Sequence, residues 1–216
     1  YSPSVKMTSL QQAIARLGMQ NVAEIAMAAT MGPKLFKTPG FESLIKTMWH
    51  SSLATAIWAR EIARHGRRNV ETTFLCGLLF QIGKPVVLQT VQDYAMGKGK
   101  DIDITTVVDF IDDYQAQVGA VLADHWQLPA PVKDTILCVA LDGPAHGSQN
   151  VVNTVRAARV FSELTLENND LPENDYDIDS LITNRHIIEI NLYADDVQQL
   201  LNKAVSVHET INALLI

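Results

Sequence analysis

Glycine and proline are scarce in this chain of 216 residues, at 11 and 8. A loop-rich all-β design needs more turn residues than that, so the scarcity points away from one. Cysteine is scarcer still. Cys76 and Cys138 lie far apart in apolar runs and read as buried, reduced thiols, so nothing demands an oxidising compartment. Basic charge is also short: the formal net charge is −7. Phosphate backbones repel such a chain, and no nucleic-acid partner is expected. No uninterrupted apolar run approaches the roughly 20 residues that span a bilayer, and no membrane partner is expected.

Catalytic signatures are missing as well. There is no Walker phosphate loop, no Rossmann glycine fingerprint, no His-Glu-x-x-His, no Cys-x-x-Cys and no Gly-x-Ser-x-Gly elbow. His50, His65, His125, His146, His186 and His208 are never spaced to put two imidazoles on one helix face. No cofactor is expected. The chain opens Tyr1-Ser2-Pro3-Ser4, with neither an initiator Met nor a signal-peptide pattern. Further sequence upstream and a cytoplasmic location are the expectations.

What is present is helical periodicity, in a composition that is 47% hydrophobic and 19% charged. A chain of this length buries roughly 70% of its unfolded surface, enough for a core without staples. Leu10, Ile14 and Leu17 fall on one helix face, with capping partners Thr8/Gln11 or Ser9/Gln12 and Gly18 as a stop. Asn21 and Glu24 open a second helix that ends before Gly32-Pro33. A long amphipathic helix runs from Phe41 to about His65 and closes in Arg64-His65-Gly66-Arg67-Arg68, cations that suit the negative end of the helix dipole. This explains the basic cluster without a phosphate site.

Further helices are expected at Glu71–Ile82, Val86–Met96 after the separator Gly83-Lys84-Pro85, Thr105–Trp126, Pro131 to about Leu141, and Val151–Leu166. Residues 167–179 form an acidic, Asn-rich surface loop. Its Asn168, Asp170, Asn174, Asp175, Asp177 and Asp179 lack the glycine and the terminal Glu of a calcium-binding EF-hand loop. Residues 194–216 read as one C-terminal amphipathic helix, with Val197, Leu200, Leu201, Ala204, Val207, Ile211 and Leu214 on one face. The fold class is all-α, a single helical domain over 1–216.

One ordered set of segments carries more. Leu17-Gly18, Trp49-His50-Ser51, Gly77-Leu78-Leu79-Phe80-Gln81-Ile82-Gly83-Lys84, Val118-Gly119-Ala120-Val121-Leu122 and Trp126-Gln127-Leu128-Pro129 follow one another across nearly the whole chain. Together they resemble the HDOD family of bacterial signalling domains, relatives of the HD metal-dependent phosphohydrolases. An HD hydrolase brings a His, an adjacent His-Asp pair and a distant Asp to one divalent metal, which activates water.

The resemblance places these ligand positions on this chain. His50 matches the first His. The His-Asp pair falls on Phe80-Gln81, and the His expected before Val-Gly-Ala falls on Gln115. A later His-His pair falls on Val139-Ala140 or, aligned to Pro144, on Leu141-Asp142. The last Asp falls on Arg159. Only His50 matches a ligand of the HD set, and three or more protein ligands are normal for a catalytic metal. The reading is therefore a non-catalytic regulatory or scaffolding domain of bacterial signal transduction, with other signalling proteins or domains as partners.

Two other readings remain. A metal-dependent phosphohydrolase would have to recruit Asp112, Asp113, His125 or Asp142. A small-ligand site would use the degenerate pocket of His50, Phe80, Gln81, Gln115, Val139, Ala140 and Arg159 without hydrolysis.

Overall fold

Three helices begin the same way. Asn69, Asp103 and Asp177 each turn a side-chain oxygen onto the N–H three residues ahead, on Thr72, Thr106 and Ser180. In the computed structural model, which describes residues 38–144, 147–167 and 176–215, the chain forms ten helices and no strand among those residues. They are α1 (Glu42–His65), α2 (Val70–Leu79), α3 (Gly83–Gly97), α4 (Ile104–His125), α5 (Ala130–Leu141), α6 (Gln149–Glu167), α7 (Ile178–Thr183), α8 (Arg185–Ile188), α9 (Ala194–Leu201) and α10 (Ala204–Leu214). The two helices expected before Gly32 lie outside the described residues.

α1 is the central element. Every residue from Ser52 to Ala59 is buried, so over two turns this helix has no solvent face. It packs against α2, α6, α9 and α10. Trp58 lies 5.0 Å from Phe161 of α6, ring centre to ring centre, and its indole N–H donates to Thr165 Oγ1 at 3.0 Å. That bond satisfies the one polar atom of a fully buried tryptophan. A second, smaller core of Ile45, Val87, Leu88, Val107 and Ile111 joins α1, α3 and α4.

Three glycines set how closely the helices approach. A Cβ on Gly77 would lie 2.8 Å from Ala56 Cα, and one on Gly83 only 2.0 Å from the Gln115 carbonyl oxygen. A Cβ on Gly119 would lie 2.7 Å from Ile136 Cγ2. All three belong to the segments that carry the family resemblance, and their work is close approach between helices.

Several expectations need correction. The C-terminal stripe is two helices: the chain breaks at Asn202-Lys203, where Lys203 N–H bonds to Leu200 O in a tighter turn. The break re-aims the chain so that Lys203 Nζ reaches Glu61 on α1 at 3.0 Å, and both halves bury their apolar faces. Gly83 starts α3, with Pro85 inside its first turn, where a missing N–H costs nothing. Asp177 caps α7, which takes Ile178 and Asp179 out of the acidic loop; residues 168–175 lie outside the described part. Finally, Val70–Gly97 is long and apolar enough to cross a membrane on composition, with mean hydropathy 1.5. The turn at Phe80–Ile82 divides it, and 67% of its most apolar window is buried inside the bundle, as core helices are.

Candidate functional site

Two of the segments singled out by sequence meet at α1, the Gln81 turn and the stretch around His50, while Leu17-Gly18 lies outside the described residues. Gln81 sits in the turn between α2 and α3, 6% exposed, and its amide Nε2 donates to Met48 O (2.8 Å) and Ser52 Oγ (2.9 Å). Those acceptors bracket His50 by two residues on either side, so Gln81 and His50 share one stretch of helix. His50 is half-buried, and its Nε2 is buried without a hydrogen-bond partner. Burial first, then His208 of α10 and Lys46, lower its proton affinity, so the imidazole is held neutral.

Phe80 is buried beside Gln81, with the Arg159 guanidinium of α6 placed 5.7 Å from its ring centre. Arg159 also pairs with Glu163 at 2.9 Å. Lys84, in the first turn of α3, lies in the same field. Burial and then Arg159 push its ammonium below the usual range, while Asp112 and Glu163 pull the other way.

The other predicted positions divide. Gln115 contributes its backbone carbonyl to the Gly83 crossing, and its side chain is half-buried. Val139 lies in the main core, whereas Ala140 is exposed, as adjacent residues about 100° apart on a helix will be. They do not act as a pair. Asp112 and Asp113 are exposed on α4, and His125 is exposed at its end. Asp142 caps α5 in a left-handed conformation, ion-paired with Arg185 and lying 3.8 Å from Arg156.

Arg156 escaped the sequence reading. It is 7% exposed, and Nη2 donates to Cys138 O (2.7 Å) and Gly143 O (2.6 Å), closing the end of α5 with a cation. The available signal was an arginine four residues after buried Val152, on the apolar face of α6.

Among the described residues no three His, Cys, Asp or Glu side chains are grouped to hold a metal ion. At the positions where the HD scaffold implies a divalent cation stand one imidazole, a Gln81 amide whose N–H₂ is bonded to α1, the Gln115 amide, a phenyl ring and a guanidinium. That set does not fit a cation: it offers one imidazole and neutral amides, Arg159 opposes positive charge, and carbon cannot ligate.

The bundle and the segments around His50 define an all-α helical domain of the HD-related type. More specifically, the chain belongs to the HDOD domain family, whose model matches residues 1–140. Arg159 and Asp142 lie beyond that match. An uncharacterized protein of Treponema pallidum (strain Nichols) is 26% identical over 136 residues, 59% of this chain and 26% of that protein. The chain thus spans about a quarter of this relative's length. A crystal structure from Shewanella amazonensis, of a protein provisionally named a phosphohydrolase, superposes with a TM-score of 0.68 at 20% identity. It covers 98% of this chain and 78% of that one, and shows the shared fold.

Proposed function

We propose that this chain is a non-catalytic regulatory or scaffolding domain of bacterial signal transduction, in which the HD metal site has been lost. Its partners are other signalling proteins or domains, in the cytoplasm. The observation that carries the reading is Gln81: at a metal-ligand position of the scaffold, a buried amide is locked as a donor to Met48 O and Ser52 Oγ. A ligand would have to present an oxygen lone pair outward instead. Phe80 and Arg159 support the same reading, because both neighbours of the would-be site exclude a cation.

The competing reading, a metal-dependent phosphohydrolase, is the one that the Shewanella protein's name suggests. The two separate in one preparation. Protein purified without chelator is expected to carry sub-stoichiometric manganese, iron, zinc and nickel by elemental analysis. It is also expected to leave bis(p-nitrophenyl) phosphate unhydrolysed when manganese is added. One equivalent of bound metal, or turnover abolished by His50→Ala, would overturn the proposal.

A second reading has an observation of its own. The unpartnered Nε2 of His50 is a hydrogen-bonding group waiting for a ligand atom, and it favours small-ligand binding without hydrolysis. A thermal-shift screen with cyclic dinucleotides and guanosine phosphates tests it, and no shift at saturating concentration would count against it.

A further inference from the structure

The basic run at the end of α1 does not act as one cluster at the helix dipole. Arg64 pairs with Glu61 at 2.7 Å, and His65 Nε2 lies 2.8 Å from Asp196 on α9. Arg68 leaves the helix end altogether. Its Nη1 donates to Thr154 Oγ1 of α6 (2.6 Å) and its Nη2 to Ile190 O (3.1 Å). The last carbonyls of α1 are already taken by backbone N–H groups: Arg68 bonds to Ala63 O and Arg67 to Arg64 O.

Arg68 is a half-buried cation with no carboxylate partner. Every other described arginine whose side chain is drawn into the fold here has one: Arg156 has Asp142, and Arg60 has Glu61. Both Arg68 acceptors are neutral, and burial alone lowers its proton affinity with no anion to offset it. A guanidinium has five N–H donors, and two are used. Three remain.

Arg68 lines a cleft of about 230 Å³ together with Ile62, His65, Gly66, Asn191 and Asp196 among others. Gly66 keeps the approach open. Its φ of −80° suits any residue, but a Cβ there would sit 3.1 Å from Arg68 Nε. Asn191, in a left-handed turn at φ 57°, is exposed on the rim and makes no described side-chain bond. Asp196 is the acidic member of the lining, and it is engaged: the Tyr193 N–H (3.0 Å) and His65 hold it. The volume is below the roughly 300–1,000 Å³ of a site for drug-sized ligands, so the occupant is small.

From these observations we infer that the cleft between the end of α1 and the α8–α9 connection binds a small phosphate-type oxyanion, free phosphate or a phosphomonoester, on the open edge of Arg68. A planar fork with unused donors matches such an oxyanion in two hydrogen bonds. The site lies about 22 Å from His50 along α1, at 1.5 Å per residue, and does not rest on the function proposed above.

The test is a titration of ¹⁵N-labelled protein with inorganic phosphate and, separately, phenyl phosphate, with sodium chloride at matched ionic strength as the control. Binding is expected to move the Arg68 Nε–H and Asn191 side-chain amide signals saturably, and not in chloride. Which titrant binds more tightly distinguishes the free anion from the ester. Arg68→Lys should abolish the shifts but also removes structural bonds. Gly66→Ala keeps the Thr154 and Ile190 anchors and crowds only Nε. It should weaken binding about tenfold, the loss of one charge-assisted hydrogen bond. Unsaturable shifts spread over surface lysines and arginines, or full affinity in Gly66→Ala, would overturn the inference.

Discussion

The Gly83–Gln115 approach predicts that one methyl group changes sign with its place on α3. In Gly83→Ala the new Cβ would stand 2.0 Å from the Gln115 carbonyl oxygen, 2.9 Å from its carbon and 2.9 Å from the Gly119 nitrogen. All three are backbone atoms, so no rotamer change can relieve the clash. α3 and α4 must part by more than about 1 Å, a gap that forfeits a quarter to a half of the dispersion between facing atoms. Those atoms include Val87, Leu88, Val107 and Ile111 of the smaller core.

Overpacking costs about 1–3 kcal/mol, and an all-backbone clash belongs at the top of that range. Alanine's helix propensity returns less than about 1 kcal/mol at a first-turn position. The net expectation is a loss of about 2–3 kcal/mol, or a fall of about 1 M in the urea midpoint at the slopes usual for such a domain. At the other end of the same helix, Gly97 has nothing within 4 Å of its would-be Cβ, and Gly97→Ala should raise stability by about 0.5 kcal/mol. Paired urea melts followed by circular dichroism measure both. A Gly83→Ala midpoint at or above wild type would show that the close crossing does not exist.

Gln127 holds φ 53° where the chain leaves α4, with Leu128 N–H returning to Ala123 O; Gln127→Gly should raise the urea midpoint by about 0.5–1 kcal/mol equivalent, by relieving the Cβ conflict. Glu61 is buried among Lys203, Arg64 and Arg60. Glu61→Gln should cost about 2 kcal/mol in the same melts, because its cations remain partly wet. Burial would raise the Glu61 pKa, but Lys203, Arg64 and Arg60 together bring it below the usual range. That contribution is present above the unfolded carboxylate pKa and lost as pH falls through the folded one, so the acid limb should be shallower in Glu61→Gln. His50, held below 6.5 by burial, His208 and Lys46, works as a neutral base: stability is full above that value and falls as pH drops from it toward the folded pKa. Urea melts at pH 7.5 and 5.5 should show this slope in wild type and a smaller one in His50→Gln.

Much of the fold was legible, because a helix shows itself wherever one stripe is apolar and the caps are polar. The long helix ending at His65 and the helix opened by Asp103 came out within a residue or two. Breaks were harder. Asn202-Lys203 interrupts a stripe that runs on in register, and the partner that Lys203 meets there, Glu61, lies 142 residues earlier in the chain. The turn at Phe80–Ile82 comes just before the expected separator Gly83-Lys84-Pro85, because the glycine and proline that suggested a break sit inside the first turn of the next helix. The left-handed residue after α1 is Arg67, not the neighbouring Gly66, because the closing bond to Ala63 O demands that conformation one position later. Of the site, the ordered motifs carry His50 and Phe80-Gln81, whereas Arg159 was placed only by the family's last ligand position and lies beside Phe80 in the fold. Arg156 was not legible, since a charged residue on an apolar face reads as an interruption until its carbonyl acceptors are in place.

Gln81 offers the sharpest test of how the old ligand position is now held. Gln81→Glu keeps the shape and replaces the N–H₂ donor with an oxygen, which would face the Met48 carbonyl at the present 2.8 Å. Two acceptors then oppose each other in a site 6% exposed, and the penalty of a buried unsatisfied polar group, about 1–3 kcal/mol, follows. Protonation relieves it, since a carboxylic acid can donate to Met48 O. The folded pKa of the new carboxyl must then lie above its unfolded value, so the variant loses stability as pH rises between the two and stays at its lowest above both. Its gap to wild type should be widest at pH 7.5 and close toward pH 4.5. Manganese should not close the gap at pH 7.5, because Phe80 and Arg159 leave the new carboxylate and His50 without a third ligand. A Gln81→Glu protein as stable as wild type at pH 7.5, or one restored by manganese, would mean that the site still accommodates a cation.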